Sequence, residues 1–334
     1  MILQQDENAM AFSNKVATIF GGTGFVGEQI VRELADHDIT IKVASRTPEK
    51  AYFLRPAGVV GQIVPVAYDP NDPESVADVI KGSDYVVNCV GLLAEKGKAT
   101  FQKAHVDLPE FIAKACAAHK IKRFVHISAL GIETSQAKYA KTKLEGEQAI
   151  RKAFPDATIL RPSIIFGPDD GFFNMFASMS QFLPALPLIG GGKTKFQPVY
   201  VGDVADAAIK AVTFPATGDK NPLGRTYELG GPEILTFKEL LQRLFAVTER
   251  KRALVPLPWS IAKLQAGFLS LLPNPPLTPD QVVSLKSDNV INDGADTLED
   301  LDIQPTGMSL ILPTYLNRFR PGGRGKILSG QGSS

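Results

Sequence analysis

One short glycine pattern constrains this chain more than anything else in it. The β-branched run VATIF (16–20) is followed at once by GGTGFVG (21–27) and then by the amphipathic stretch EQIVREL (28–34). Gly21 suits a tight turn, Gly24 lets the backbone approach a pyrophosphate, and Gly27 lets helix and strand pack closely. The first turn of such a helix offers free N–H groups and the positive end of its dipole to phosphate. Glycines at this spacing occur in many turns, but a strand before and a helix after make the pattern specific. Thr23, Phe25 and Val26, between the glycines, are expected to line the same cradle.

The rhythm continues beyond the motif. Short runs at 40–45, 62–66, 85–88, 123–127 and 158–160 alternate with helical stretches such as 111–119. Alternation of this kind predicts an α/β fold, a doubly wound parallel sheet with helices on both faces. The largely apolar VVNCV (86–90) suits a strand buried on both sides. A dinucleotide-binding domain is expected over 12–166, with 196–214 returning to it as a strand and a helix. Residues 167–195 and 215–320, punctuated by proline, read as a smaller, mostly helical domain for a substrate or partner. The tail 321–334 is too poor in apolar residues to order itself.

Composition narrows the function classes. A chain of 334 residues buries enough surface to need neither disulfide nor metal staples. Lys+Arg 36 against Asp+Glu 35 leaves a net charge of +1, so a nucleic-acid partner is not expected. Cys89 and Cys116 have no CxxC spacing, which suits a reducing compartment. The opening residues carry Asp6 and Glu7 and no apolar core, so they do not read as a signal peptide, and Met10 is as good a start as Met1. The uncharged 171–192 is broken by Pro184 and Pro187, and 254–279 holds a helical part between Pro258 and Pro273 that is too short to span. A soluble or peripheral protein on the cytoplasmic or organelle-matrix side is expected. His37, His119 and His126 do not recur at metal-ligand spacing, so no metal site is expected.

The second strand ends in VASRT, about 20 residues past the glycines, where a dinucleotide fold reads the ribose. An acid there would bind the 2′-hydroxyl of NAD(H). Ser45, Arg46 and Thr47 instead offer hydroxyls and a guanidinium, which favour a 2′-phosphate. NADP(H) is therefore preferred, with NAD(H) left open. Tyr139 and Lys143 lie four apart on one helical face. A nearby ammonium favours phenolate and lowers a tyrosine from its usual value of about 10. Such a tyrosine moves a proton while hydride passes to or from a nicotinamide. The alternative is an ordinary surface pair beside Glu145 and Glu147.

With these residues read, the chain resembles the extended and atypical short-chain dehydrogenase/reductase proteins from about 15 to 211. FGGTGFVG (20–27), VASR (43–46), AYDP (67–70), NCVG (88–91), YAKTK (139–143), RPSIIFGP (161–168) and PVYVGDVADA (198–207) carry the likeness. The resemblance implies that Asp69 contacts adenine, Val90 and Gly91 the ribose, and Lys143 the nicotinamide ribose. It also sets Pro162 and Ser163 beside the nicotinamide. A narrower likeness, in 153–179 and 193–204, is to the dehydrogenase-like nucleotide-binding accessory subunit of respiratory complex I and its bacterial relatives. There the nucleotide is held mainly as a structural element beside the quinone-binding arm. Two departures bear on chemistry. Ser128 stands one position before the family's catalytic hydroxyl, whose own place is taken by Ala129, and His105 replaces the asparagine of the fourth helix.

Two readings follow. One is an accessory or assembly subunit of complex I with a mainly structural NAD(P)(H). The other is an active NADPH-dependent reductase or epimerase on a small carbonyl or quinone-pathway substrate, using Tyr139 and Lys143. An RNA-binding cousin is disfavoured by the near-neutral charge. One segment speaks to partners. WSIAKLQAGFLSLL (259–272) is apolar nearly all round, with Ile261, Leu264, Phe268, Leu271 and Leu272 along one side. It is either a lid buried over its own crevice or a face for a larger assembly at the membrane, helped by Arg318, Arg320, Arg324 and Lys326.

Overall fold

The computed structural model of the chain describes residues 13–322 except 216, 217, 219, 271, 273 and 274. The tail from 323, with Arg324 and Lys326, lies outside the described residues, as do Met1, Met10 and Leu271. The first half runs β1 (Lys15–Phe20), α1 (Phe25–Ala35), β2 (Ile39–Ser45), β3 (Ile63–Ala67), α2 (Pro73–Ile80), β4 (Tyr85–Asn88), α3 (Leu108–Ala118), β5 (Arg123–Ile127), α4 (Lys138–Ala153) and β6 (Thr158–Pro162). The second half begins β7 (Ile165–Phe166), α5 (Phe173–Phe182), β8 (Ala185–Ile189), β9 (Lys195–Phe196), β10 (Val199–Tyr200), α6 (Val201–Thr213) and β11 (Thr226–Leu229). It ends β12 (Leu235–Thr236), α7 (Phe237–Thr248), β13 (Ala253–Leu257), α8 (Trp259–Leu269), α9 (Pro279–Ser284) and α10 (Met308–Leu316).

Seven strands form one sheet in the order β11-β6-β5-β4-β1-β2-β3, and every ladder in it is parallel. A parallel sheet must be covered on both faces, and the strand sequences provide for that. Ala17, Ile19, Val43, Val87, Val125 and Ile127 pack on the face covered by α1 and α6. Phe20, Ala44, Val86 and Phe124 pack on the other, against α2, α3 and Ile150 of α4. Strand order reverses between β1 and β4, so the crevice for a ligand opens there, at the carboxyl ends of the strands. Pro65 lies in β3 at the sheet edge, where its missing N–H breaks no ladder.

A second core forms beside the sheet. Phe173 and Phe176 of α5, Phe237 and Leu240 of α7, and Leu312 and Tyr315 of α10 are its centre. The FFNMFASM stretch that carried the narrower likeness is therefore packing and not crevice wall. The return of the chain differs from expectation. Helix α6 does come back onto α1, but β10 pairs only with β7 and never joins the main sheet. The seventh strand is instead β11, from the region expected in the smaller domain. TYEL is too short and too polar to read as a core strand, because Glu228 is buried on an ion pair and not in apolar contact. No described helix is long and apolar enough to cross a membrane.

The α1–α6 contact holds a carboxyl pair, Glu33 and Asp206, joined by a hydrogen bond between their side chains. Burial first, then the charges of Glu33 and Asp203, push Asp206 up to about 6. Glu33 is raised as well, by burial and by Asp36. A raised carboxyl contributes its stability below the unfolded value of 3.8 and loses it as pH rises through about 6. Asp206→Asn should therefore stabilise the fold at neutral pH by about 1–2 kcal/mol after solvent screening is allowed for. Melts across pH check it: the advantage should disappear toward pH 4, and a variant less stable at neutral pH would contradict the pairing.

Candidate functional site

The glycine cradle sits at the sheet's reversal point. Gly21 has φ +76, and a Cβ there would lie 3.0 Å from the backbone of both Cys89 and Val90, so only glycine lets the β1 and β4 loops meet. A Cβ on Gly27 would lie 2.2 Å from the Gly21 carbonyl oxygen, so α1 meets its own strand end backbone to backbone. The Gly24 N–H donates to the Gly21 carbonyl at 3.0 Å, closing the turn. Gly24 then begins α1 with no side-chain cap, which leaves the first N–H groups of the helix, including those of Phe25 and Val26, for an anion. Thr23 is exposed between them, and Phe25 packs toward Gly167, 3.2 Å from where a Cβ would stand there. Uncapped amides and a cradle that any Cβ would fill suit a dinucleotide pyrophosphate.

On the adenine side the ends of β2 and β3 come together. The Ser45 hydroxyl donates to the Thr47 carbonyl at 2.9 Å and accepts the Thr47 N–H at 3.2 Å, which fixes the turn and leaves Arg46 exposed. Asp69 is also exposed and accepts two hydrogen bonds from Asn71, which hold it below the usual carboxylate range. Tyr68 lies between, edge-on to Phe20 at 5.2 Å, with burial pushing its hydroxyl up to about 12 and the charges of Arg46 and Asp69 both reaching it.

The nicotinamide side is drier. Lys143 is buried, donates to the Ile127 carbonyl at 3.0 Å, and stands 3.6 Å from the Cβ position of Gly91. Burial lowers it to about 8. The preceding Val90 is held by its N–H on the Asn88 side chain at 3.0 Å. Tyr139 contradicts the expectation of a lowered phenol: burial pushes it up to about 12. The physical reason is burial: Tyr139 is walled edge-on by Phe101 at 5.9 Å and His105 at 5.2 Å, and no charge from Lys143 offsets it. The Ser128 hydroxyl is buried with no hydrogen-bond partner among the described residues, and Ala129 packs against an apolar cluster of Ile132, Ala137 and Ala140. Pro162 accepts the Leu130 N–H at 2.9 Å.

What the sequence did not disclose is a strap, residues 278–292, laid across the strand ends. The Asp280 carboxylate accepts the N–H groups of Lys138 at 2.7 Å and Tyr139 at 3.0 Å, capping α4, whose own N-cap Ala137 cannot. The Asn289 side chain accepts the Ser163 hydroxyl at 2.6 Å and donates to the Leu130 carbonyl at 2.7 Å. Asn292 donates twice to Glu228 of β11, at 2.7 and 2.8 Å. An open groove of about 260 Å³ at the start of the strap is lined by Glu95, Phe101, Lys138, Thr278 and Asp280, with Lys138 paired to Glu95 at 2.8 Å. These bonds join residues far apart in sequence, so no local spacing announces them.

Known proteins share this architecture. The chain matches the NAD dependent epimerase/dehydratase family over residues 17–230. It is 34% identical over 323 residues to the mitochondrial NADH dehydrogenase (ubiquinone) 1 alpha subcomplex subunit 9 of Arabidopsis thaliana, covering 93% of this chain and 79% of that relative. It is 30% identical over 321 residues to the mitochondrial NADH-ubiquinone oxidoreductase 40 kDa subunit of Neurospora crassa, covering 96% and 83%. Among solved structures, the NADPH-dependent quinone oxidoreductase of Escherichia coli complexed with NADPH superposes with a TM-score of 0.69 at 18% identity, covering 90% and 98%. That last likeness is one of fold.

The dry phenol gives a direct test. The ultraviolet phenolate signal of the chain minus that of Tyr139→Phe should titrate near pH 12. A difference signal with its midpoint below about pH 9 would restore an activated tyrosine.

Proposed function

We propose, from the premise that this chain belongs to the NAD dependent epimerase/dehydratase family and within it to the complex I alpha-subcomplex subunit 9 relatives, that it is an accessory or assembly subunit of an NADH:quinone oxidoreductase whose NAD(P)(H) is mainly structural. One observation carries the reading: the glycine cradle keeps its helix amides uncapped, whereas the Tyr139 phenol is set among aromatic rings and Ala129 stands without a hydroxyl. Gly21, Gly24 and Gly27 with the uncapped α1 would hold the pyrophosphate, Val90 and Gly91 the ribose, and Lys143 the nicotinamide ribose. A bound nicotinamide supplies hydride chemistry, but Tyr139 holds its proton to about 12 and Ala129 offers no hydroxyl to polarise a carbonyl. The same contrast disfavours a reductase or epimerase working through Tyr139 and Lys143.

NADP(H) is the nucleotide of this reading, with its 2′-phosphate at Ser45–Thr47. Support comes from the exposed guanidinium of Arg46 at the end of β2, where no carboxylate stands to receive a 2′-hydroxyl. Arg46→Glu should weaken NADPH by about 1.5–3 kcal/mol and spare NADH. Calorimetric titration with both nucleotides decides it, and equal losses would contradict the assignment.

Helix α8 supplies the docking face. It buries only Ala262 and Ala266, against Ile189 and Val282, and leaves Ile261 at 46%, Leu264 at 64% and Phe268 at 68% exposure. It is therefore not a lid buried over its own crevice. Exposed Lys263, and Lys286 at 5.8 Å over the Trp259 ring, border this face, a combination suited to the membrane-side junction of an assembly. On native gels of respiratory membranes the chain should migrate with the assembled oxidoreductase. Leu264→Ser with Phe268→Ser should move it to the soluble fraction with NADPH binding intact. A wild type that never comigrates overturns the subunit reading; a variant that stays bound overturns the docking face.

A further inference from the structure

His105 is wholly buried in a widened, π-helical turn, Gln102–Asp107, that runs into α3. Its imidazole makes two bonds: one to the loop that follows Gly91, the other to the helix that carries Tyr139 and Lys143. Nε2 accepts the Leu92 N–H at 3.1 Å, and Nδ1 lies 3.0 Å from the Thr142 hydroxyl. Since Nε2 accepts, the proton is on Nδ1 and donates to Thr142. The Thr142 hydroxyl in turn shares its one hydrogen between the carbonyls of Lys138 and Tyr139, each at 3.0 Å. Every donor in this chain has an acceptor, provided the ring is neutral.

The surroundings keep it neutral and still. The ring is stacked on Phe101 at 5.1 Å and meets Tyr139 edge-on at 5.2 Å. Burial, then the Lys143 charge, lowers it to about 3. Its carbonyl presses on α4, where a Cβ on Gly146 would come within 1.8 Å of it. Leu92 directly follows Gly91, and Thr142 directly precedes Lys143. Lys143 and Gly91, whose Cβ position lies 3.6 Å from the Lys143 ammonium, are thus each one residue from a bond to the same imidazole.

We propose that His105 is a positioning residue for the nicotinamide half of the nucleotide: it locks the Gly91 loop and the Lys143 helix in the spacing that receives the ribose. The inference rests on the nucleotide reading above. It predicts that the two halves of the ligand respond differently to substitution. The adenine half, held by the glycine cradle and Arg46, does not depend on His105.

The test uses the full chain, NADPH, and adenosine 2′,5′-bisphosphate, which carries the adenine half alone. His105→Ala should weaken NADPH about tenfold and leave the bisphosphate within about twofold. His105→Gln places an amide oxygen where Nε2 accepted from Leu92 and should recover most NADPH affinity. His105→Asn reaches Thr142 but not Leu92 and should not. Parallel losses of both ligands, unchanged NADPH binding in His105→Ala, or a better rescue by Asn than by Gln would each overturn the proposal. A wild type that binds neither ligand overturns the nucleotide reading instead.

Discussion

A single buried guanidinium ties the edge of the sheet to everything laid over it. Arg161, at the end of β6, reaches Glu147 of α4 through Nε at 3.0 Å and Nη2 at 2.7 Å, and Glu133 through Nη1 at 2.9 Å. Glu228 of β11 stands 3.8 Å away and turns both oxygens to Asn292 of the strap. Bidentate pairing satisfies the planar fork of arginine in a way a lysine could not. Removing one member of such a buried pair costs about 3–5 kcal/mol, because the remaining charge has nowhere to be solvated. Helix α4, strands β6 and β11 and the strap thus share one electrostatic anchor, and the crevice walls they build stand or fall together.

The sheet was legible in the sequence because a strand buried on both faces must be apolar along its length. VATIF and the VVN of β4 announce themselves in that way. The glycine turn was legible because backbone contact at Gly21 and Gly27 tolerates no side chain. Strand β11 was not, since its central Glu228 is buried by pairing and not by hydrophobicity. The strap was invisible for a related reason: Asp280 and Asn289 act through hydrogen bonds across 142 and 126 residues, and such bonds leave no period to read. The spacing of Tyr139 and Lys143 gave their shared helix correctly but not their protonation, because spacing reports a face and says nothing of the dielectric around it. Lys143 is turned to a carbonyl, and Tyr139 is left to its aromatic neighbours.

The cradle and the proton-transfer groups answer to different physics, which is why one can persist without the other. Phosphate is held by backbone amides and helix geometry, and these follow from glycine and the fold alone. Proton transfer needs a side chain tuned near the working pH and wetted or relayed toward solvent. Around Tyr139 the relay is replaced by rings: Phe101, His105 and the phenol itself form a continuous aromatic wall.

The strap also imposes an order of events on the newborn chain. Ser163 and its partner Asn289 are 126 residues apart. At about 5–20 residues per second, ribosomal synthesis needs roughly 6–25 s to cover that interval. Meanwhile β1 to β6 and their helices already exist, so the cleft stands without its fastening. Only once Asp280, Asn289 and Asn292 emerge can the strap fasten α4, β6 and β11 to one another. The crevice walls are therefore fastened late in translation, and a chain cut short before 278 lacks that fastening altogether.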